Sequence, residues 1–245
     1  MIPEIRYTRF KLQGAAGVDV AETIGGLERL AFIFPTSGVA PRALFDAAVL
    51  MERSNRFAEA REAYARIPAR YPNLYELAST SLLRQAMLED RAGDWVKAKA
   101  TLESVPANYP RTTAAAQAPL SIVEHYVRVG DRAGLDVSLK RAVEQYERMV
   151  RSDSTGAGTA RLRWNLLRCY LQLKDRDRVF RTVDGLADHH PKSPFTAEAL
   201  LQGANFAETN NLKPIAVRFL GRYLQEFPND AQAKVVRERV GKLTQ

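Results

Sequence analysis

An aromatic residue followed by proline returns along this chain at nearly constant intervals: Phe34-Pro35, Tyr71-Pro72, Tyr109-Pro110 and Phe227-Pro228, with His190-Pro191 as a variant. Successive prolines are 37, 38, 81 and 37 residues apart. A period of this length marks stacked supersecondary units, each too small to bury its apolar face alone. A second constant precedes the prolines by about seventeen residues, at Asn55, Gly93, Gly130 and Asn211, where the chain must reverse. Between reversal and proline lies an amphipathic stretch. "NRFAEAREAYARIPARYP" sets Ala60, Tyr64 and Ile67 on one face, "GDWVKAKATLESVPANYP" sets Ala98, Leu102 and Val105, and "NLKPIAVRFLGRYLQEFP" sets Ala216, Leu220 and Tyr223. Apolar positions separated by four and then three residues share one face of a helix.

Each block therefore reads as a first helix, a tight turn, a second helix and a proline stop. Proline has no N–H to donate and disfavours a helical residue ahead of it, so the second helix ends there. The alanine (60, 98 or 216) lets the two helices approach closely, and the aromatic before the proline plugs the gap between hairpins. Ala, Leu, Arg and Glu fill the periodic stretches and no run of alternating β-branched residues competes, so the fold class is all-α.

This arrangement resembles the tetratricopeptide repeat, a helix-turn-helix unit of 34 residues. The resemblance implies one right-handed superhelical solenoid over residues 1–245. Its hairpins span about 3–36, 37–73, 74–111, 112–158, 159–192 and 193–230, and a capping helix covers 231–245. Three blocks match well: 37–73, 74–111 and 193–230. The 159–192 block has Val179 at the small position and Lys174-Asp175 at the turn. The 112–158 block lacks its proline, has Leu135 at the small position, and runs through a longer second helix into "RSDSTGAGTA", where a hinge or a change of pitch is expected. The chain opens on a repeat boundary with Ile2, Ile5, Tyr7 and Phe10 and no polar cap, which predicts either further chain before it or a partner on that face.

The block endings "HHPKSPFTAEALLQGANFAETN" and "FPNDAQAKVVRERVGKL" are similar to the bacterial cell-envelope branch of the family, which includes the TolA-binding protein and BamD-type outer-membrane lipoproteins. Ser193, Asp230 and Thr112 stand where helix-start residues belong. The branch implies assembly of envelope machinery by protein–protein contact. It places the chain in the periplasm or on the periplasmic face of the outer membrane if a targeting segment was removed, and in the cytoplasm otherwise. "MIPEIRYTRF" has no signal-peptide core, and no stretch approaches the ~18 apolar residues of a membrane span.

The net charge of +8 is uneven: residues 151–192 carry nine Lys/Arg against five Asp/Glu. Because acids interleave with these bases, they read as solvated helix faces rather than a nucleic-acid stripe. Cys169 stands alone, which excludes an intrachain disulfide and reads as a small buried hydrophobe. His125 has Glu124 as its sequence neighbour, off the spacing of three or four that a helical metal pair needs. His190 fills an aromatic position, and "STGAGTAR" lacks the lysine of a phosphate loop. The acids read as exposed helical positions. No catalytic set, metal site or cofactor is expected, and enzyme activity is not.

In the resemblance, first helices line the concave face. Counted from the prolines, the inward candidates are Arg42, Phe45, Arg84, Met87, Arg161, Trp164, Arg168 and Asn205. An indole with arginines three residues before and four after it suits an extended acidic or aromatic peptide, unless Trp164 packs between hairpins and the arginines are solvated. Members that clamp a C-terminal carboxylate use Lys, Asn and Arg in consecutive first helices. Asn165 and Asn205 fit, but Gln117, Leu120 and Glu124 break the pattern. Three functional readings stay open: a non-enzymatic scaffold binding a partner segment on this face or by its ends, a self-associating organiser joined through the first repeat, and the regulatory segment of a larger enzyme.

Overall fold

The computed structural model describes residues 2–17, 19–152 and 158–244, and among these it contains thirteen α-helices and no strand. The helices follow one another as hairpins: α1 (Ile2–Ala16) with α2 (Val20–Ile33), α3 (Ala40–Arg53) with α4 (Phe57–Arg70), and α5 (Tyr75–Arg91) with α6 (Trp95–Asn108). Next come α7 (Thr113–Val129) with α8 (Arg132–Ser152), α9 (Thr159–Leu173) with α10 (Arg176–His189), α11 (Pro194–Thr209) with α12 (Lys213–Glu226), and a final α13 (Ala233–Leu243). The chain divides into two compact units, Met1–Ile122 and Val123–Gln245.

The reversal residues work through backbone geometry. Asn55, Gly93, Gly130, Lys174 and Asn211 all hold a left-handed conformation, with φ of 60°, 84°, 73°, 54° and 59°. The next N–H then reaches back across the helix end: Arg56 to the Met51 carbonyl at 2.9 Å, Asp94 to Glu89 at 3.0 Å, Asp131 to Tyr126 at 3.2 Å, Asp175 to Tyr170 at 3.1 Å and Leu212 to Ala207 at 2.8 Å. This is the Schellman ending, which satisfies carbonyls that have no further helical turn to bond them. At three of the turns the same residue also starts the next helix. The carboxylates of Asp94, Asp131 and Asp175 accept the N–H of Lys97, Gly134 and Arg178 at 3.3, 3.0 and 3.1 Å.

The prolines close each hairpin by a second device. Phe34, Tyr71, Tyr109, His190 and Phe227 leave the helical region, with ψ of 59°, 56°, 55°, 49° and 56°. Each still donates its N–H to the carbonyl four residues back, while its own carbonyl accepts the N–H three residues on, at 3.0 to 3.2 Å. The result is a β-turn with proline in its second place, where the ring pre-sets φ. Thr112, Ser193 and Asp230 receive N–H groups of Ala115, Phe195 and Gln232 as the sequence predicts, and Ser37 does the same for Val39. Pro68 and Pro106 sit inside α4 and α6, four residues before the closing prolines. The ending expected at "RSDSTGAGTA" and the Gly-x-Gly of "STGAGTAR" fall largely on residues 153–157, outside the described residues.

The apolar triads are buried as expected. Ala60, Tyr64, Ile67, Ala98, Leu102, Val105, Ala216, Leu220 and Tyr223 are all 2% exposed or less, and Val179 is buried at the same place in its block. Leu135 is a correction. It is half-buried, and the close approach falls one residue earlier, at Gly134, where an added Cβ would lie 2.2 Å from the Tyr126 ring. The large ring of α7 claims the space that an alanine concedes elsewhere. Glu89 is another: read as exposed, it is fully buried, accepting from Gln85 Nε2 and Thr101 Oγ1 at 2.8 Å each, with Lys97 Nζ at 3.6 Å.

Ties between successive hairpins of the second unit recur at one spacing. Asp184–Arg218, Asp188–Arg222, Lys192–Glu226 and Asn205–Arg239 are each 34 residues apart. The last of these sets α13 one period beyond α11, in the place of a further first helix. One period on from the buried Leu200, Ala204 and Ala207 of α11 stand Lys234, Glu238 and Gly241, all exposed.

Lys174 is the one reversal residue here that is neither Gly nor Asn, and its Cβ is strained at φ 54°. Lys174→Gly is expected to stabilise the chain by about 0.5–1 kcal/mol, read from urea unfolding, because relief of the left-handed strain outweighs the added freedom of the unfolded chain.

Candidate interaction surfaces on the first helices

In the first unit, Arg42, Phe45 and Arg84 are brought together. The Arg42 and Arg84 guanidinium carbons lie 5.6 and 5.9 Å from the centre of the Phe45 ring. That ring is itself buried, packed edge-on against Tyr64 at 5.6 Å, so it carries the arginines and offers little surface of its own. Carboxylates fix both cations: Arg42 Nε lies 3.3 Å from Asp46, and Arg84 Nη1 donates to Glu52 Oε2 at 3.0 Å. Two tyrosines complete the line, Tyr7 donating to Asp46 at 2.6 Å and Tyr64 to Glu52 at 2.8 Å. Burial first, then these carboxylates, raise both phenol pKa values, that of Tyr7 to about 12. Three first helices and α4 are thus linked through Tyr7, Asp46, Arg42, Arg84, Glu52 and Tyr64. Met87, one turn beyond Arg84 on α5, is exposed.

In the second unit, Arg161, Trp164 and Arg168 lie along one side of α9, and each arginine has a partner in its own chain. The Arg161 guanidinium sits 5.6 Å over the Phe195 ring of α11, and Arg168 Nη2 donates to Glu124 of α7 at 3.0 Å. Trp164 is half-buried between them. Asn205 is exposed on α11 and accepts from Arg239 of α13, which also pairs with Glu208 at 2.7 Å. Sequence reasoning picked the cations and missed the carboxylates that hold them. Two pairs carried a usable signal: Arg42 and Asp46 by their spacing of four on α3, and Asn205 and Arg239 by their separation of one repeat.

His125 is buried, edge-on to Tyr126 at 5.4 Å and 3.2 Å from Arg128 Nη2. Cys169 is buried and its thiol is pushed up to about 12 by burial. At the closing position of α10, His190 is half-buried with its pKa lowered, by burial first and then by Arg163. Among the described residues no group of three or more His, Cys, Asp or Glu is placed to hold a metal ion.

Residues 42–74 and 80–112 match the family model of the tetratricopeptide repeat. No curated protein matches the sequence. Several solved structures share the fold. The C-terminal part of a TPR repeat-containing protein from Cytophaga hutchinsonii aligns with a TM-score of 0.61 at 12% identity, over 96% of this chain and 85% of that one. A tetratricopeptide repeat protein from Parabacteroides merdae gives 0.56 at 14%, over 99% and 86%. A thermophilic TPR protein of Thermus thermophilus gives 0.53 at 16%, over 84% and 99%. At these identities the likeness is one of fold. The chain is an all-helical array of tetratricopeptide-like hairpins.

Glu52 answers two groups at once, so its loss strands a hydroxyl on the fully buried Tyr64. Glu52→Leu is expected to cost about 1–3 kcal/mol in urea unfolding, the penalty of an unsatisfied buried polar group. Adding Tyr64→Phe to it is expected to restore most of that loss.

Proposed function

We propose that this chain is a non-enzymatic scaffold that presents its first helices to a segment of a partner protein, within a bacterial cell-envelope or secretion assembly. The observation that carries the reading is the display of arginine beside aromatic rings on these helices: Arg42 and Arg84 at Phe45, and Arg161 and Arg168 on either side of Trp164. Side chains already held by neighbours lose little freedom on binding, which favours capture of an acidic or aromatic segment. The envelope assignment is supported by the closing sequences "HHPKSPFTAEALL" and "FPNDAQAKVV" and their resemblance to that branch. With it goes a periplasmic location, if a targeting segment is removed, and a cytoplasmic one otherwise. Among the described residues no helix is long and apolar enough to cross a membrane. The test is capture of partners from a lysate of the source cells: the Arg161→Glu/Arg168→Glu variant is expected to lose them while its far-ultraviolet circular dichroism stays unchanged. Undiminished capture removes the α9 face from the reading.

A second reading, self-association through the first hairpin, is favoured by four exposed apolar side chains there. Ile5 and Leu12 on α1 are 63% and 65% exposed, and Phe32 and Ile33 on α2 are 78% and 55%. It predicts a molecular mass that rises with concentration in multi-angle light scattering, and a constant monomer mass across the dilution series rules it out.

A further inference from the structure

Between the N-terminal half of α11 and the turn from α12 to α13, both in the second unit, lies an open groove of about 320 Å³. Ala197, Leu201 and Phe227 line it, and Glu198 and Asp230 also face it. We propose that the groove seats a basic side chain of a partner protein, its aliphatic stem along the apolar walls and its cationic head between the two carboxylates. The inference rests on the scaffold reading, to which it adds a contact of defined chemistry.

Charge complementarity singles out this occupant. Residues 123–245 carry 21 Lys/Arg against 15 Asp/Glu, and arginines match carboxylates across the unit, at Asp184, Asp188, Glu208 and Glu124. The two groove carboxylates have only neutral partners among the described residues. Glu198 Oε1 accepts from Gln202 Nε2 at 3.0 Å. Asp230 Oδ1 accepts from the Tyr223 hydroxyl at 2.6 Å and from the Gln232 N–H at 2.8 Å. These two bonds, the Tyr223 one first, hold the Asp230 carboxyl below its ordinary value. The lysine that lines the groove is already engaged: Lys192 Nζ donates to the Glu226 carbonyl at 2.9 Å and lies 3.3 Å from its carboxylate. An anionic side chain would meet two like charges here, and a purely aliphatic one would leave both unanswered. A long cationic side chain buries its stem and answers them.

The test uses the ¹⁵N-labelled full chain with N-acetyl-arginine methylamide as probe and its citrulline counterpart, which keeps the shape and loses the charge. Arginine is expected to shift the amides of Ala197, Leu201 and Gln232 with a roughly millimolar constant, and citrulline to bind about fivefold more weakly or worse, as solvent-facing ion pairs to two carboxylates allow. Glu198→Gln, which leaves Asp230 charged, is expected to reduce that difference without changing the citrulline response. Equal response to both probes, shifts only elsewhere, or no shift at all overturns the proposal. Because Arg161 and Arg168 do not line the groove, a failed groove leaves the α9 capture result standing, and a failed α9 capture leaves the groove result standing.

Discussion

The last carbonyls of an α-helix have no further turn to bond them, and how this chain answers five such ends governs most of its architecture. A single left-handed residue turns the next N–H back onto the helix it has just left, as at Asn55 and Gly93. Nothing longer is needed, because the following residue already begins the second helix. Two helices joined so tightly must lie side by side, and the small position five residues on, Ala60 or Ala98, sets how closely they meet. Side-chain packing then finishes what the backbone has imposed.

Proline works at the other end of each hairpin, and there its part is constructive as well as prohibitive. It breaks the helix, but it also pre-forms a turn whose first residue is an aromatic ring and whose fourth, at every turn but that of Leu74, accepts with its side chain an N–H of the chain that follows. The Tyr71 hydroxyl donates to the Pro35 carbonyl at 3.0 Å, so one closing turn is pinned to the one before it. The first-helix side chains that the functional reading depends on are therefore carried on a backbone whose two kinds of corner are both hydrogen-bonded.

Much of this was legible in residue order. Both punctuation marks are backbone demands that few residue types meet, so Asn, Gly and Pro at fixed intervals betray them. Lys174 shows the limit: it adopts the left-handed state without the residue type that announces it, held by the Asp175 bonds to Tyr170 on one side and Arg178 on the other. Leu135 and Glu89 were misread for a related reason. Where the close approach of a hairpin falls depends on the Tyr126 ring over Gly134, and whether a glutamate is solvated depends on Gln85 and Thr101 around it. The candidate surface was half legible, since arginines stand out by type while Glu52 and Glu124, on other helices from Arg84 and Arg168, gain meaning only once three-dimensional neighbours are known.

The ties between Asp184 and Arg218, Asp188 and Arg222, Lys192 and Glu226, and Asn205 and Arg239 share one register. Adding or removing a residue between Asn205 and α12 would dislocate all four pairs together, whereas substitution would loosen one at a time. Length is thus under tighter constraint than composition in this stretch. The 21-residue α8, half as long again as the 14-residue α10 and α12, shows that the same economy does not bind every hairpin of the chain.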